Sequence, residues 1–239
     1  MKKLSIIILS AAVLFGCTSA QINQTLGAVN EAIGTTDALS TDQVAAGLKE
    51  ALTKGISKGS DQVSLLDGYF KNPNIKIPFP PSVQKVETKL RQLGLDNQVD
   101  KFVMTLNRGA EDAAKGAKPI FVSAITSMTI ADAWNILKGE ENAATNYLKK
   151  TTSDQLLASF RPVMSKSLDK VNATKYYGDV IGTYNKIPFI EKVNPDLEEY
   201  ATQKAVDGLF FMIAKEEKNI RQDPVARTTE LLKKVFGAQ

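Results

Sequence analysis

The segment Asp196–Arg221, DLEEYATQKAVDGLFFMIAKEEKNIR, predicts the centre of the fold. Asn194 and Pro195 precede it, pairing a side chain that caps helices with a proline that suits a first helical turn. Apolar residues surround the helix almost completely between Leu209 and Ile213, which is typical of a helix buried on all sides. We therefore expect a central buried helix with other helices packed around it.

The rest of the chain repeats apolar residues at helical spacing, and no segment alternates for long enough to predict a strand. Capping patterns at Ser40, Asp96, Thr129 and Thr152 each predict the start of a helix. The proline-rich segment Tyr69–Pro81 predicts an extended arm instead. The predicted fold class is all-α, an irregular bundle of roughly nine or ten helices with extended proline-containing links.

Glycine and proline predict where three of these helices begin or end. Gly59 is expected to end the helix that Ser40 begins, and Asp223-Pro224 is expected to begin the last helix. Gly94 is expected to end a helix that starts near Pro81. That helix carries four apolar residues at helical spacing, which we expect to face inward: Val83, Val86, Leu90 and Leu93.

The N-terminus has the features of a bacterial export signal. Met1–Lys3 is basic, and Leu4–Phe15 is apolar except for two serines. This apolar run is shorter than the roughly 20 residues that a stable membrane-spanning helix requires. We expect residues 1–16 to be a signal peptide, 17–40 a tether and 41–239 a single helical domain.

Leu14–Cys17 resembles the lipobox of bacterial lipoproteins, in which the cysteine is diacylated and becomes the new N-terminus. Lipidation of Cys17 would make the membrane a partner. Thr18 stands where many Gram-negative lipoproteins retained in the inner membrane have aspartate, so we expect the outer membrane, facing the periplasm. The alternative is an ordinary signal peptide with a chance cysteine.

Composition excludes several kinds of site. The chain has no histidine, and Cys17 is its single cysteine, so catalytic triads, histidine-ligated metals and intrachain disulfides are excluded. Net charge is +4, but the lysines and arginines are interleaved with acidic residues. Because nucleic acid favours a concentrated basic face, we expect no nucleic-acid partner. We also expect no metal and no cofactor.

Several blocks of the sequence together resemble one family. They are Asn72–Pro81, Gln84–Glu87, Leu106–Arg108, Ala143–Tyr147, Lys204–Phe210, Glu216-Glu217, Ile220-Arg221 and Leu231–Gly237. They occur in order from about Thr41 to the C-terminus and are similar to the bacterial domain-of-unknown-function family 4197. The resemblance implies a single helical domain, usually exported or carried by a lipoprotein, and it implies no catalytic or binding residues.

The nearest approach to a site in the sequence is a charged cluster around Asp223-Pro224. Glu217 and Arg221 are four residues apart in the order that favours a helical ion pair, and Glu216 and Glu217 extend apolar stripes. Arg227 is expected to return towards the same carboxylates. We expect a partly buried network that fixes the last helix on the central one, with ligand binding as the alternative.

Phe211 is a second candidate, because it stands in a polar stripe of the central helix with Lys204, Asp207, Lys215 and Lys218. It is a candidate contact for a partner or for a neighbouring helix. The alternative is that this helix is buried on every side.

Two classes of function follow from the sequence. One is a non-catalytic binding or structural module of the cell envelope, contacting an envelope protein. The other is a helical carrier with an apolar cavity for a lipid-like ligand. A carboxylate-dependent enzyme is a third hypothesis, because Asp, Glu, Lys, Tyr and Ser can transfer protons without histidine. No residue is assigned a catalytic role.

Overall fold

The computed structural model of the protein describes residues 40–186, 188–189, 192–194 and 196–237, without the side chains of residues 180, 183 and 184. The predictions for the signal peptide, Cys17 and most of the tether lie outside these residues. Nine α-helices lie within them: α1 (Thr41–Ser64), α2 (Gln84–Gln92), α3 (Asp96–Ala114), α4 (Ala117–Thr126), α5 (Ile130–Leu137), α6 (Ala143–Asp169), α7 (Ala173–Tyr184), α8 (Leu197–Gln222) and α9 (Glu230–Gly237). Short 3-10 turns at Pro81–Val83 and Pro224–Ala226 precede α2 and α9. The described part of the chain has no strand, so the all-α prediction is confirmed.

Helix α8 is the central element that the sequence predicted. Its residues Leu197, Ala201, Ala205 and Leu209 are fully buried, and the helix packs mainly against α6, α1 and α3. The buried apolar side chains of the surrounding helices form one connected cluster with it. Burial of this surface supplies the main driving force for folding.

The start of α8 differs from the prediction by two residues. Asp196, not Asn194, is the N-cap, and its carboxylate accepts the backbone N–H of Glu199 at 2.8 Å. Asn194 supports it by accepting the N–H of Asp196 at 2.9 Å. The charged side chain is the better cap because the N-terminal end of a helix carries a partial positive charge.

Three other boundaries were predicted wrongly, because local signals were overridden by packing or by side-chain bonding. Helix α1 continues past Gly59, which packs against the backbone of Met212 in α8. Thr152 lies inside α6, where its hydroxyl donates to the carbonyl of Leu148 at 2.7 Å instead of capping a new helix. Asp223-Pro224 opens a 3-10 turn, and α9 begins only at Glu230.

The predicted arm, Tyr69–Pro81, contains no α-helical residue and is fixed to both α3 and α8, but it is extended only in part. Hydrogen-bonded turns occupy most of it as far as Ile75, and Pro81 begins a 3-10 turn. The buried hydroxyl of Tyr69 donates to the carbonyl of Ala205 in α8 at 2.6 Å. Burial raises the pKa of Tyr69, so the phenol stays neutral and remains a donor. A Cβ atom on Gly208 would lie 2.7 Å from the Tyr69 ring, so glycine is required at this approach.

Two buried polar side chains of α3 hold the arm from the other side. Asn107 accepts the backbone N–H of Ile77 and donates to its carbonyl, both at 2.8 Å. Glu111 accepts the N–H groups of Tyr69 and Phe70, each at 3.1 Å. These bonds satisfy backbone groups that have no helix or sheet to pair with.

Within the described residues, no single helix has the length and apolarity needed to cross a membrane. The pair Ala117–Thr126 and Ile130–Leu137 meets that requirement only when taken together, and it is bent by 106°.

Candidate functional site

Glu217 and Arg221 form the predicted ion pair, at 3.0 Å, with side chains that are 5% and 12% exposed. The Glu217 carboxylate also accepts the backbone N–H groups of Ala144 and Thr145, at 3.0 and 2.8 Å, and the Thr145 hydroxyl at 2.7 Å. Glu217 therefore caps the first turn of α6, where backbone N–H groups lack partners within their own helix.

Arg221 connects the same carboxylate to a third helix. Its guanidinium donates to the carbonyl of Ile136 at 2.8 Å and more weakly to that of Leu137 at 3.4 Å, at the end of α5. The cavity beside the pair measures about 20 Å³, which is room for about one water molecule. The pair thus joins the C-terminus of α5, the N-terminus of α6 and α8.

Arg227 does not return to the carboxylates as the sequence predicted. It donates to the carbonyls of Ile220 and Arg221, at 3.1 and 2.8 Å, and so caps the C-terminus of α8. The cause is the 3-10 turn after Asp223, which keeps Arg227 within reach of the last turn of α8. Glu216 is buried and pairs with Lys58 of α1 at 2.8 Å. The predicted network is therefore split into two separate carboxylate contacts, neither of which involves α9.

Phe211 is 46% exposed, so the central helix is not buried on every side. Asp207, Lys215 and Lys218 on the same stripe are also exposed. This exposure excludes full burial, while the role of Phe211 as a partner contact stays a prediction.

A large apolar cleft of about 570 Å³ lies between α2, α3 and α7. Its volume lies within the roughly 300 to 1,000 Å³ that is typical of small-molecule sites. Its apolar walls consist of Phe79, Val83, Val86, Leu90, Leu95, Val99, Phe102, Val171, Ala173, Tyr176, Tyr177 and Ile181. The rings of Phe79 and Phe102 lie 5.0 Å apart on one wall, which fixes the end of the arm beside α3.

The cleft exists because α2 is not buried by the rest of the protein. No residue of Gln84–Gln92 is buried, although Val86 and Leu90 lie on one apolar face. The principal packing partner of α2 is α3, whereas α7 packs mainly on α6 and α8. The prediction that four residues face the core is therefore confirmed only in part. Val83 is buried in the core and Val86 packs against it, whereas Leu90 borders the open volume of the cleft and Leu93 is 65% exposed.

A turn and an ion cluster hold α2 in this position. Gly94 has a φ of +79°, which allows the sharp reversal between α2 and α3 at the predicted helix end. Arg91 of α2 then contacts Glu87, Asp96 and Asp100 at 2.9 to 3.3 Å. Asp96 thus pairs with Arg91 and is not the side-chain cap that the sequence predicted, and Leu95 is the N-cap of α3.

Few polar residues line the cleft, and the charged ones among them are all positive. Lys101 and Lys170 are the charged residues of the described lining, together with the uncharged Gln98 and Asn172. Burial raises the pKa of the Tyr177 phenol, which keeps it neutral. The site is therefore apolar with a basic edge, a composition suited to binding and without an evident proton-transfer pair.

Metal coordination has little support in the described residues, which contain no group of three or more Asp, Glu, His or Cys side chains placed to hold an ion.

The fold and the cleft together define an all-α domain with a ligand-sized apolar cleft. The family described as "Protein of unknown function (DUF4197)" matches residues 38–237, and the chain belongs to that family. No curated protein and no solved structure matches the chain.

Sequence reasoning missed the cleft, although it singled out three of the residues that line it. Val83, Val86 and Leu90 were predicted to face the core, which is where apolar side chains at helical spacing usually point. The available signal was the short length and high polarity of the α2 sequence, Gln84–Gln92, in which Val86 and Leu90 are the only apolar residues.

Proposed function

We propose that the protein is a non-catalytic binding module of the cell envelope whose cleft holds an apolar, lipid-like ligand. The observation that carries this proposal is that the amphipathic helix α2 has no buried residue and faces a cleft of about 570 Å³. An apolar surface left facing water is costly, and burial against an apolar ligand would recover roughly 25 cal/mol per Å². This favours the carrier among the functions that the sequence left open.

A matched pair of leucine substitutions in one short segment tests the cleft. Leu90 lines it, whereas Leu93 is 65% exposed and does not. In full-length protein, Leu90→Trp is expected to weaken binding of a neutral phenylnaphthylamine dye by about tenfold, because the indole fills the volume the dye needs. Fluorescence titration of the dye gives the dissociation constants.

The control Leu93→Trp adds the same indole outside the cleft and is expected to change dye affinity by less than about twofold, which is below 0.5 kcal/mol. Equal effects of the two substitutions would contradict binding in the cleft. Native mass spectrometry of the unmodified protein should in addition show a co-purifying lipid.

The sequence supports a location for this module. We propose that it is exported, lipidated at Cys17 and held in the outer membrane facing the periplasm, and the motif Leu14–Cys17 supports this. Each buried CH₂ of the attached chains would add about 0.8 kcal/mol of membrane affinity. Cys17→Ser is therefore expected to move the protein from the membrane to the soluble fraction on cell fractionation. An unchanged membrane fraction would show that lipidation is not the anchor.

A further inference from the structure

A second pocket, of about 300 Å³ and polar in character, lies next to the apolar cleft. Its lining includes three carboxylates, Asp196, Glu199 and Asp207, together with Lys204. Tyr177 lines this polar pocket as well as the cleft, and among the described residues it is the one that the two linings share. The two volumes therefore meet at this side chain.

Tyr177 is placed to separate the two volumes. It is only 8% exposed, so it belongs to the interior and is not a surface flap. Ala173 and Ile181 lie one turn before it and one turn after it on α7, and both line the cleft. The phenol interacts with the hydroxyl of Ser82, which lines the polar pocket. The ring therefore stands among apolar side chains, while its hydroxyl end lies on the polar side.

The link that precedes α2 continues this boundary. Ser82 lines the polar pocket, whereas the next residue, Val83, lines the cleft. Tyr200 of α8 lines the polar pocket and donates its hydroxyl to the carbonyl of Pro78 at 3.2 Å. Burial raises the pKa of Tyr200 to about 12, so its phenol stays neutral and remains a donor. The link is thus held against α8 at the place where the apolar cleft ends and the polar pocket begins.

We propose that Tyr177 closes one end of the cleft and so limits the length of the hydrocarbon chain that a ligand can bury there. Each CH₂ group that is buried against apolar surface strengthens binding by about fourfold. Carbons beyond the Tyr177 ring would meet the carboxylates and the lysine of the polar pocket, which offer no such gain. This inference rests on the proposed function and adds the chain length of the ligand to it.

A series of straight-chain alcohols tests the inference. Alcohols from hexan-1-ol to hexadecan-1-ol are titrated against the neutral phenylnaphthylamine dye bound to full-length protein. With the unmodified protein, affinity is expected to rise about fourfold per added carbon up to a limiting length and then to level off. In Tyr177→Ala the volume of the ring becomes available, so the limit is expected to move to chains at least about two carbons longer, a gain of about tenfold for those alcohols.

Two substitutions provide matched controls. Tyr177→Phe keeps the ring and removes the hydroxyl, so it is expected to leave the limiting length unchanged. Tyr176→Ala removes a neighbouring ring that lines the cleft but is 63% exposed and is not part of the polar pocket's described lining. It is expected to weaken binding of all the alcohols without moving the limit. Tyr177→Leu, which leaves a smaller cavity than alanine, is expected to move the limit in the same direction and replaces Tyr177→Ala if that variant does not fold.

Affinity that rises through the whole series without a limit in the unmodified protein would overturn the inference and leave the proposed function standing. The same conclusion follows if the limit stays unchanged in Tyr177→Ala and Tyr177→Leu, or if it moves equally in Tyr177→Phe or Tyr176→Ala. Failure of the dye and of every alcohol to bind the unmodified protein would refute the proposed function, and this inference with it.

Discussion

Glu217→Ala is expected to lower the free energy of unfolding by roughly 3 to 5 kcal/mol, because it strands a buried charge. Arg221 would keep its guanidinium, only 12% exposed, without the carboxylate that neutralises it. The N–H groups of Ala144 and Thr145 would lose their acceptor at the start of α6 at the same time. Urea unfolding followed by circular dichroism measures the loss through a lower midpoint at an unchanged slope.

The neighbouring residue provides the control for this experiment. Glu216 is also buried, but its partner Lys58 has a side chain that is 54% exposed and that water can solvate when the carboxylate is removed. Glu216→Ala is therefore expected to cost only about 1 kcal/mol. Similar losses from the two substitutions would show that Glu217 does not hold three helices together in the way its contacts indicate.

Asn107→Ala is expected to lower the free energy of unfolding by roughly 2 to 5 kcal/mol and to weaken dye binding in the cleft as well. Asn107 is fully buried and supplies both hydrogen bonds to the backbone of Ile77. Without them, a backbone N–H and a backbone carbonyl remain unpaired in the core, each at about 1 to 3 kcal/mol. Phe79 on the same arm and Val83 in the 3-10 turn after it line the cleft, so dye affinity should fall together with the urea midpoint.

Asn97→Ala is the matched control, on the same helix but exposed to solvent. It is expected to change stability by less than about 0.5 kcal/mol and to leave dye binding unchanged. If Asn107→Ala lowered stability but left dye affinity intact, the arm would hold the core together without shaping the cleft.

Much of the fold was predictable because the relevant signals are local. The capping pair Ser40 and Gln43 is present as predicted, with reciprocal bonds of 2.8 and 3.2 Å, and so is the cap of Thr129 on Asp132. The helical period of apolar residues identified α8 as the central helix for the same reason. Predicted helix ends were wrong where a contact distant in the chain determined the local structure, as at Gly59.

The charged cluster around Asp223-Pro224 was predictable only in part, because some of its contacts are local in the chain and others are not. The pair Glu217 and Arg221 lies four residues apart on one helix, so the sequence could anticipate it. The other partners of Glu217 are Ala144 and Thr145, which lie 73 and 72 residues away in the chain. Likewise Arg227 was assigned to carboxylates that the Asp223-Pro224 turn does not bring to it.

By itself, the sequence determined the helical class, the order of the helices, the non-helical proline-rich arm and the absence of histidine chemistry, because these depend on composition and on periods of a few residues. Only the tertiary structure decided that the apolar face of α2 meets a cleft and not the core. Whether an apolar face is filled by another helix depends on how helices far apart in the chain pack together. The antiparallel packing of α3 on α6 is decided in the same way.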